Sequence, residues 1–512
     1  MKFSFEMIAL IIILAATTQY FIISLTTPVV FGDEGYYASR ARWIADNHLL
    51  PKTEPYYETD TYHQRFVKPP IYIMINTFGW LAAGELGIKL LLPVFSVLSA
   101  FIVYMLLKKM GHPRAGIAAA FSLTMVPSMV TYGVLNYVDT MLVMLVAAFM
   151  HFCYESFSSE RRANAVVAGI FAGFAILTKI TGGLVLLFAV LYFLSAKKTK
   201  YWKNLLIIIA IAAVVASPLI IRNMAMFGSP CYGPISGSSC GDYTDVTIPA
   251  DPTAPNFTGD VQQTGTAQNL LSVGVLNYTR FAYGWTLPVF MLLGIGLLIS
   301  RRKETDIFWA AAAVSFLPVI FMSANGRIED LARFLLPLSL GIVALAGLFA
   351  DEAYGYLKKN NKLVAAAFVL IFVATVWFYG QEKLDTMVSV KQFAPGFIEG
   401  CKWIKANTNE DSLLLSIYSH QTVYLCDRAA LASGISDANI IRLTNDNRSY
   451  EHLKLHGFDY IFIQQFTVSQ QALGETTTPA FINYLDTSPH FKKVYDNTDV
   501  YGSGGVTLYQ VL

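Results

Sequence analysis

Two short stretches near the N-terminus carry side chains suited to acid–base and phosphate chemistry. Asp33 and Glu34 form an acidic pair directly after the first long apolar segment, and Tyr37 follows within one helical turn. Lys68 precedes two prolines, which keep it extended and are tolerated in the first turn of a following helix. A carboxylate can take a proton from a hydroxyl, and a fixed cation can stabilise a phosphate that gains charge.

Each of these residues also has a structural interpretation. Asp33 stands where an N-cap would stand for a helix predicted over 34–47, and Glu34 would then be a first-turn charge facing the helix dipole. Lys68 could equally snorkel and anchor the helix that follows it. For Asp33 the two interpretations weigh about equally, and its place beside a bilayer surface favours a functional role.

Further polar residues fall at the ends of apolar segments. Asp139 opens a long apolar helix, where a carboxylate is either a cap or part of a polar site. Lys179 lies in a tight turn between two apolar runs, where snorkelling is the alternative. Arg222 ends another apolar run and Arg65 lies close to Lys68; arginine can hold phosphate through two hydrogen bonds.

The composition places the chain among polytopic membrane proteins. Of its 512 residues 54% are hydrophobic and 14% are charged, whereas soluble domains carry about 25% charged residues. Apolar runs near the ~20 residues of a spanning helix recur from residue 5 to residue 380. The net charge of +2 gives no reason to expect a nucleic-acid partner.

Basic clusters recur after every second apolar segment. The clusters are Lys108-Lys109 with Arg114, Arg161-Arg162, Lys197 to Lys203, Arg301-Arg302-Lys303, and Lys358 to Lys362. The positive-inside rule assigns them, together with the N-terminus, to the cytoplasmic side.

This orientation predicts about eleven spans. They cover residues 5–27, 88–107, 114–132, 139–156, 164–179, 180–196, 203–222, 283–300, 306–324, 334–351 and 362–380. Residues 28–87, 133–138, 223–282, 325–333 and the tail from 381 are then extracytoplasmic. The short apolar stretch from Pro70 to Ala83 is predicted to lie at the outer interface rather than to span.

The composition changes near residue 381. Residues 397–406 have helical spacing, and 412–416 and 460–464 have the pattern of short buried strands. We therefore expect a membrane domain over 1–380, with external loops at 28–87 and 223–282, and an external α/β domain over 381–512.

The cysteines fit an oxidising exterior. Cys231 and Cys240 share one external loop, Cys401 and Cys426 share the external tail, and Cys153 is alone within a span. Two disulfides or four unpaired thiols remain open alternatives. Asn-x-Ser/Thr sequons that begin at Asn256, Asn277 and Asn447 are also external in this topology.

Motifs for other chemistry are missing from the sequence. There is no G-x-x-x-x-G-K-[ST] loop, no H-E-x-x-H pair and no G-x-S-x-G elbow. A metal bound by Asp33, Glu34 and His63 is conceivable, but no metal or other cofactor is expected to be required. Carboxylates and cations at the outer leaflet suit transfer of a sugar from a lipid phosphate.

Together, Asp33-Glu34 after the first span, Tyr37, Lys68-Pro-Pro and Asp139 resemble the GT-C glycosyltransferases. The likeness is to the branch that contains the dolichyl-phosphate-mannose–protein mannosyltransferases and the aminoarabinose transferase of lipid A, and it covers most of the chain. It implies inverting transfer from a polyprenyl- or dolichyl-phosphate sugar to a hydroxyl on a protein, a glycan or a lipid.

The resemblance also assigns roles. It implies that Asp33 is the base or another key acidic residue of the site, supported by Glu34 and Asp139. It implies that Lys68 and Tyr37 contact the lipid phosphate, and the match of Arg222 to a phosphate-contacting arginine is looser. Arg65 and Lys179 are additional phosphate-binding candidates. The departure is Val67, where some relatives carry a glutamate able to serve a metal.

Two other classes of protein remain as alternatives. A transporter or lipid flippase would favour inverted repeats and broken helices at the midplane, but most ionisable residues here fall at the ends of spans. A receptor or scaffold would account for the tail but not for Asp33 with Lys68. The plasma membrane is favoured over the endoplasmic reticulum because the chain is compact and has no KDEL-type signal.

Overall fold

The apolar segments form a bundle of α-helices, as required where the backbone must satisfy its own hydrogen bonds in lipid. This is a computed structural model. It describes residues 5–29, 32–56, 66, 69–159, 161–227, 282–284, 286–301, 303–319, 332–392, 395–416, 418–431, 448–455, 457–464 and 478–512.

Fourteen described α-helices precede the C-terminal domain. They are α1 (Phe5–Thr26), α2 (Glu34–Asn47), α3 (Ile71–Ala83), α4 (Glu85–Lys109), α5 (Pro113–Met125), α6 (Pro127–Gly133), α7 (Val138–Ser158), α8 (Arg162–Thr178), α9 (Leu184–Ser195), α10 (Trp202–Phe227), α11 (Thr286–Arg301), α12 (Glu304–Ser315), α13 (Leu338–Asn360) and α14 (Lys362–Gln392). Short 3₁₀ turns at Ile180–Gly183 and Thr199–Tyr201 precede α9 and α10.

A helix lies in each of the eleven ranges predicted to span. Six described helices are long and apolar enough to cross a membrane, and a seventh span results if the bent pair α5–α6 counts as one. The polytopic helical class is therefore confirmed, and the number of eleven spans stays a prediction. The stretch from Pro70 to Ala83 is a helix of 13 residues, α3, shorter than a span needs.

The bend between α5 and α6 leads directly toward the predicted site. The two helices are inclined by 60° across Val126, because Pro127 supplies no N–H to the preceding turn. The Tyr20 hydroxyl bonds to the carbonyl of Thr124, beside the break. The residues of α6 are all buried, and the chain then passes through 134–137 into α7.

The C-terminal domain is an α/β unit, as predicted. Its elements are α15 (Pro395–Asn407), β1 (Leu413–Ser416), α16 (Ser419–Cys426), β2 (Ala429–Leu431), α17 (Arg448–Leu455), β3 (Tyr460–Gln464), α18 (Thr478–Thr487), β4 (Phe491–Asp496), α19 (Thr498–Tyr501) and β5 (Val506–Val511). The strand order is β2-β1-β3-β5-β4. Strand β1 is parallel to β2 and β3, and β5 is antiparallel to β3 and β4.

Helix α16 packs the domain against α2 of the bundle. A small cluster of buried residues bridges the two, including Ala38 and Ala41 of α2 and Tyr424 of α16. The Tyr424 hydroxyl donates to Glu85 at the start of α4, at 2.9 Å. The membrane domain and the C-terminal domain therefore meet at the helix that carries the acidic pair.

A disulfide joins Cys401 of α15 to Cys426 at the end of α16, and Cys153 is a buried free thiol.

Several other predictions concern residues outside the described part of the chain. These are Cys231, Cys240, Lys68, Arg65, His63, and the sequons at Asn256, Asn277 and Asn447.

Candidate active site

Asp33 does not act as a side-chain cap. It occupies the N-cap position of α2 but makes no side-chain capping bond. Its Oδ2 accepts instead from Nη1 of Arg333 at 2.7 Å. The side-chain cap interpretation is therefore not borne out, and the functional role of Asp33 stays a prediction.

Asp139 lies at the start of α7 and is almost fully buried, with 1% of its surface exposed. Its Oδ2 accepts from Nε of Arg333 at 2.6 Å. Its Oδ1 accepts from Nζ of Lys179 at 2.6 Å. Asp33, Arg333, Asp139 and Lys179 thus form a continuous chain of ion pairs, here called the charge cluster.

The charge cluster gathers residues from four separate parts of the sequence. Asp33 precedes α2, Asp139 opens α7, Lys179 follows α8, and Arg333 belongs to the short helical segment at 332–334. Lys179 points its ammonium at Asp139 rather than away from the protein. The ring of Phe334 lies 4.0 Å from that ammonium, which adds a cation–π contact.

Glu34 has a different position from Asp33. It is buried with 1% exposure, and its Oε1 accepts from the backbone N–H of Asn136 at 2.9 Å. The side-chain amide oxygen of Asn136 accepts from the Tyr72 hydroxyl at 2.7 Å. Glu34 thereby ties α2 to the segment before α7, and α3 supports that segment through Tyr72.

Two aromatic rings line the arginine. The Tyr37 phenol is hydrogen-bonded to Arg333, and the Tyr137 ring lies 4.5 Å from the guanidinium carbon. Burial raises the pKa of Tyr37, while Arg333 opposes that rise. Burial works against the charge on Arg333, but Asp139 and Asp33 outweigh it and raise the pKa of Arg333. The phenol is therefore neutral and the guanidinium charged at neutral pH.

Exposure distinguishes the two carboxylates of the charge cluster. The Asp33 side chain is 31% exposed, whereas that of Asp139 is 1% exposed. Arg333 and Lys179 are 15% and 14% exposed. Asp33 is thus the more accessible of the two carboxylates, and Asp139 is enclosed behind the two cations.

Arg222 binds backbone carbonyls. Its Nη2 donates to Pro51 O at 2.7 Å and its Nη1 to Phe66 O at 2.9 Å. The N–H of Phe66 also donates to the carbonyl of Lys52 at 2.9 Å. Arg222 therefore joins the chain at Pro51 to the chain at Phe66, two positions before Lys68, a predicted phosphate ligand outside the described residues.

The sequence reasoning missed Arg333. It placed the turn at 325–333 on the extracytoplasmic side but named none of its residues as part of the site. The usable signal was the parity of the spans, which puts this turn in the same compartment as Asp33. No spacing rule could identify which charge of the turn faces a residue 300 positions earlier.

Within the described residues, no group of three or more His, Cys, Asp or Glu side chains could hold a metal ion. His63, the one histidine considered as a ligand, lies outside them. The sequence-based prediction that no metal is required stays a prediction.

Comparison with known proteins gives one family match. Residues 67–221 match the family model described as dolichyl-phosphate-mannose-protein mannosyltransferase. The matched range contains Asp139 and Lys179 and begins after Asp33. No curated protein matches the chain.

Solved structures match over nearly the whole chain. The Archaeoglobus fulgidus oligosaccharyltransferase in complex with Zn and sulfate has a TM-score of 0.65 and 14% identity, covering 93% of this chain and 70% of that one. ArnT from Cupriavidus metallidurans bound to undecaprenyl phosphate has a TM-score of 0.63 and 14% identity, covering 98% and 97%. AglB from Archaeoglobus fulgidus with an inhibitory peptide and a dolichol-phosphate has a TM-score of 0.61 and 12% identity, covering 98% and 74%. At these identities the likeness is one of fold.

Proposed function

The chain has the GT-C glycosyltransferase fold, and from this premise we propose that it transfers a sugar from a polyprenyl- or dolichyl-phosphate donor to a hydroxyl acceptor. The acceptor hydroxyl belongs to a protein, a glycan or a lipid. The proposal is supported by two structures of similar fold, which are described as bound to undecaprenyl phosphate and to a dolichol-phosphate.

The observation that carries the proposal is the environment of Asp33. Its carboxylate makes no helix cap and is held by a largely buried arginine that it shares with Asp139. Burying such charges is unfavourable unless they are paired, and a structural cap would not need them. A reactive carboxylate held beside fixed cations is the arrangement that sugar transfer from a phosphate requires.

In the proposed reaction Asp33 is the general base. It takes the proton of the acceptor hydroxyl as that oxygen attacks the anomeric carbon of the donor sugar. The bond between the anomeric carbon and the phosphate oxygen breaks, and its electron pair leaves with the lipid phosphate. Attack opposite the leaving group inverts the anomeric configuration.

The cations serve the leaving group in this scheme. The lipid phosphate gains negative charge as the sugar departs, and fixed charges beside it lower the barrier. Arg333 and Lys179 are the described candidates. Lys68 and Arg65 remain predicted ligands from the sequence, and Arg222 contributes by holding the chain at Pro51 and Phe66.

The remaining acidic residues are assigned as positioning residues. Asp139 is enclosed and holds Arg333 and Lys179 in place. Glu34 is enclosed and holds the backbone of Asn136. Neither carboxylate is exposed enough to meet an acceptor, so the proposal gives Asp33 alone the proton transfer.

We further propose that the reaction takes place on the extracytoplasmic side of the plasma membrane. The basic clusters lie at the ends of the helices opposite the charge cluster: α4 begins at Glu85, beside the C-terminal domain, and ends at Lys108-Lys109. The positive-inside rule then assigns the charge cluster and the C-terminal domain to the outside.

The test is sugar transfer by the purified, lipid-reconstituted protein from a panel of radiolabelled polyprenyl-phosphate sugars. Wild type is compared with Asp33→Asn and with Asp46→Asn, an exposed carboxylate on the same helix. We expect Asp33→Asn to reduce transfer by about 10²–10⁴-fold, as for a lost general base, and Asp46→Asn to have no effect.

Three results would change the proposal. Transfer that survives Asp33→Asn would reassign the base. Lipid-phosphate sugar that moves between leaflets without transfer would favour a flippase. A wild-type protein that binds none of the donors would overturn the glycosyltransferase assignment.

A further inference from the structure

The peptide group between Gly32 and Asp33 is held from two sides by two different domains. Its carbonyl oxygen accepts from Nε2 of Gln421, in the C-terminal domain, at 2.8 Å. Its N–H donates to the Tyr137 hydroxyl, in the membrane domain, at 3.0 Å. Because a peptide group is planar, fixing its oxygen and its nitrogen fixes the direction in which the Asp33 backbone leaves it.

Two glycines let the surrounding groups come this close. Gly32 has φ of +51°, and a Cβ there would lie 1.9 Å from the Tyr137 hydroxyl oxygen. A Cβ on Gly35 would lie 2.3 Å from the carbonyl oxygen of His420. Helix α16 is therefore fitted directly against the backbone of the first turn of α2.

The Gln421 side chain is itself held in place. It is 4% exposed. The next residue, Thr422, shares a hydroxyl hydrogen bond of 2.8 Å with Ser416 at the end of β1. The disulfide from Cys426 to Cys401 fixes the other end of α16 to α15. The core of the C-terminal domain thus sets where the Gln421 amide lies.

We propose that Gln421 is a positioning residue for the Asp33 carboxylate, and that the C-terminal domain thereby completes the active site of the membrane domain. Gln421 reaches the reacting atoms only through the backbone of Gly32 and Asp33. The inference deepens the proposed function and rests on it for its activity measurement. The two hydrogen bonds from Gln421 and to Tyr137 that hold the Gly32–Asp33 peptide group, here called the clamp, can also be tested without any activity.

The competing interpretation is that Gln421 only helps to attach one domain to the other. A matched control exists at the far end of the same two helices. Arg42 of α2 forms an ion pair of 2.6 Å with Asp427, and the two side chains are 15% and 49% exposed. This pair joins the same elements without touching the peptide group before Asp33.

The experiment compares full-length wild type with Gln421→Leu and Arg42→Ala in lipid. We expect Gln421→Leu to lower kcat by roughly 10- to 100-fold, as for a displaced reacting group, with donor binding unchanged. We expect hydrogen–deuterium exchange to become faster at residues 32–37. Arg42→Ala should change neither kcat nor that exchange.

A third variant, Gln421→Glu, gives a pH signature that a merely structural contact would not produce. Its carboxylate cannot donate to the Gly32 carbonyl, but its protonated form can. The ratio of its kcat to that of wild type, measured at the same pH, should therefore rise as the pH falls.

Two results would overturn the inference. The first is that Gln421→Leu has the same kcat as wild type and that the ratio of the Gln421→Glu kcat to the wild-type kcat does not change with pH. The other is unchanged exchange at residues 32–37 in Gln421→Leu. If wild type binds none of the donors, the proposed function fails instead, and the exchange measurement still decides whether the two hydrogen bonds to the Gly32–Asp33 peptide group hold it in place.

Discussion

Ion pairs occur at both ends of the helix bundle, but they differ in burial and in connectivity. In the charge cluster, Arg333 joins two carboxylates and Asp139 joins two cations. Pairs at the other end include Lys108–Glu6, Lys109–Glu155, Arg114–Asp351 and Lys198–Glu304. Side chains in those pairs are between 16% and 56% exposed, whereas Asp139 is 1% exposed.

This difference in burial and connectivity agrees with the proposed reaction site at one end of the bundle and with surface anchoring at the other. Exposed ion pairs contribute about 0–1 kcal/mol and mostly mark the membrane surface. Buried charges must overcome a desolvation penalty, so a buried network is weak evidence for stability alone. Among the described residues, the linked ion pairs that include an almost fully buried carboxylate lie at the end of the bundle that carries Asp33, where the proposed function places the reaction.

The largest contrast is expected between two arginines. Arg333→Met leaves Asp33 and Asp139 without their shared cation. We expect it to lower the free energy of unfolding by about 3–5 kcal/mol and to abolish transfer. Arg114→Met removes the partner of Asp351 at the opposite end and should cost at most about 1 kcal/mol.

Thermal unfolding in detergent and the transfer assay check this pair of variants. Arg333→Lys should also abolish sugar transfer, because an ammonium cannot reproduce the two directed hydrogen bonds of the guanidinium. Equal destabilisation by Arg333→Met and Arg114→Met would mean that the two ends of the bundle do not differ as described.

The sequence predicted much of the fold because apolar length, basic clusters and prolines act locally. The bounds of α1, α3 and α7 lie within a residue or two of the predicted segments. Strands β1 and β3 were also recognised from their short apolar runs. The pairing of Asp33 with Arg333 was not predicted, because it depends on how distant helix ends meet in three dimensions.

The second contrast concerns two glycines with positive φ. Gly32→Ala places a Cβ 1.9 Å from the Tyr137 hydroxyl, whereas Gly111→Ala, at φ of +88°, meets nothing within 4 Å. Both variants carry backbone strain of about 1–2 kcal/mol, because an L-residue is disfavoured at positive φ. Only Gly32→Ala should add an overpacking cost of about 1–3 kcal/mol.

Unfolding measurements and transfer assays should therefore report a larger loss for Gly32→Ala. Gly32→Ala should also lower the rate of sugar transfer, because the peptide group before Asp33 must shift to make room for the Cβ. A Gly32→Ala protein with the stability and turnover of Gly111→Ala would show that the backbone before Asp33 has room to adjust.

The third contrast is between two Lys–carboxylate pairs. A double-mutant cycle with Asp139→Asn and Lys179→Met should give a coupling energy of about 0.5–3 kcal/mol, toward the upper end of that range because the two groups are in contact and mostly shielded from solvent. The same cycle with Glu155→Gln and Lys109→Met should give at most about 0.5 kcal/mol, because the Lys109 side chain is 56% exposed.

Thermal unfolding of the four proteins in each cycle measures both coupling energies. High salt should reduce the weak coupling further and leave the buried one nearly unchanged. Two equal coupling energies would contradict the distinction between linked and isolated pairs.

The smallest contrast is between two tyrosines, each beside an arginine. Tyr37→Phe removes the phenol that is hydrogen-bonded to Arg333, worth about 0.5–1.5 kcal/mol, so transfer should fall by roughly 2- to 10-fold. Tyr354→Phe keeps the ring that lies 5.6 Å from the Arg114 guanidinium carbon and should change nothing.

Because burial raises the pKa of Tyr37, its phenol stays protonated, and the loss in Tyr37→Phe should be constant between about pH 6 and 9. A loss that grew or vanished within that range would mean that Tyr37 titrates. It would contradict the assignment of a neutral Tyr37 phenol beside Arg333.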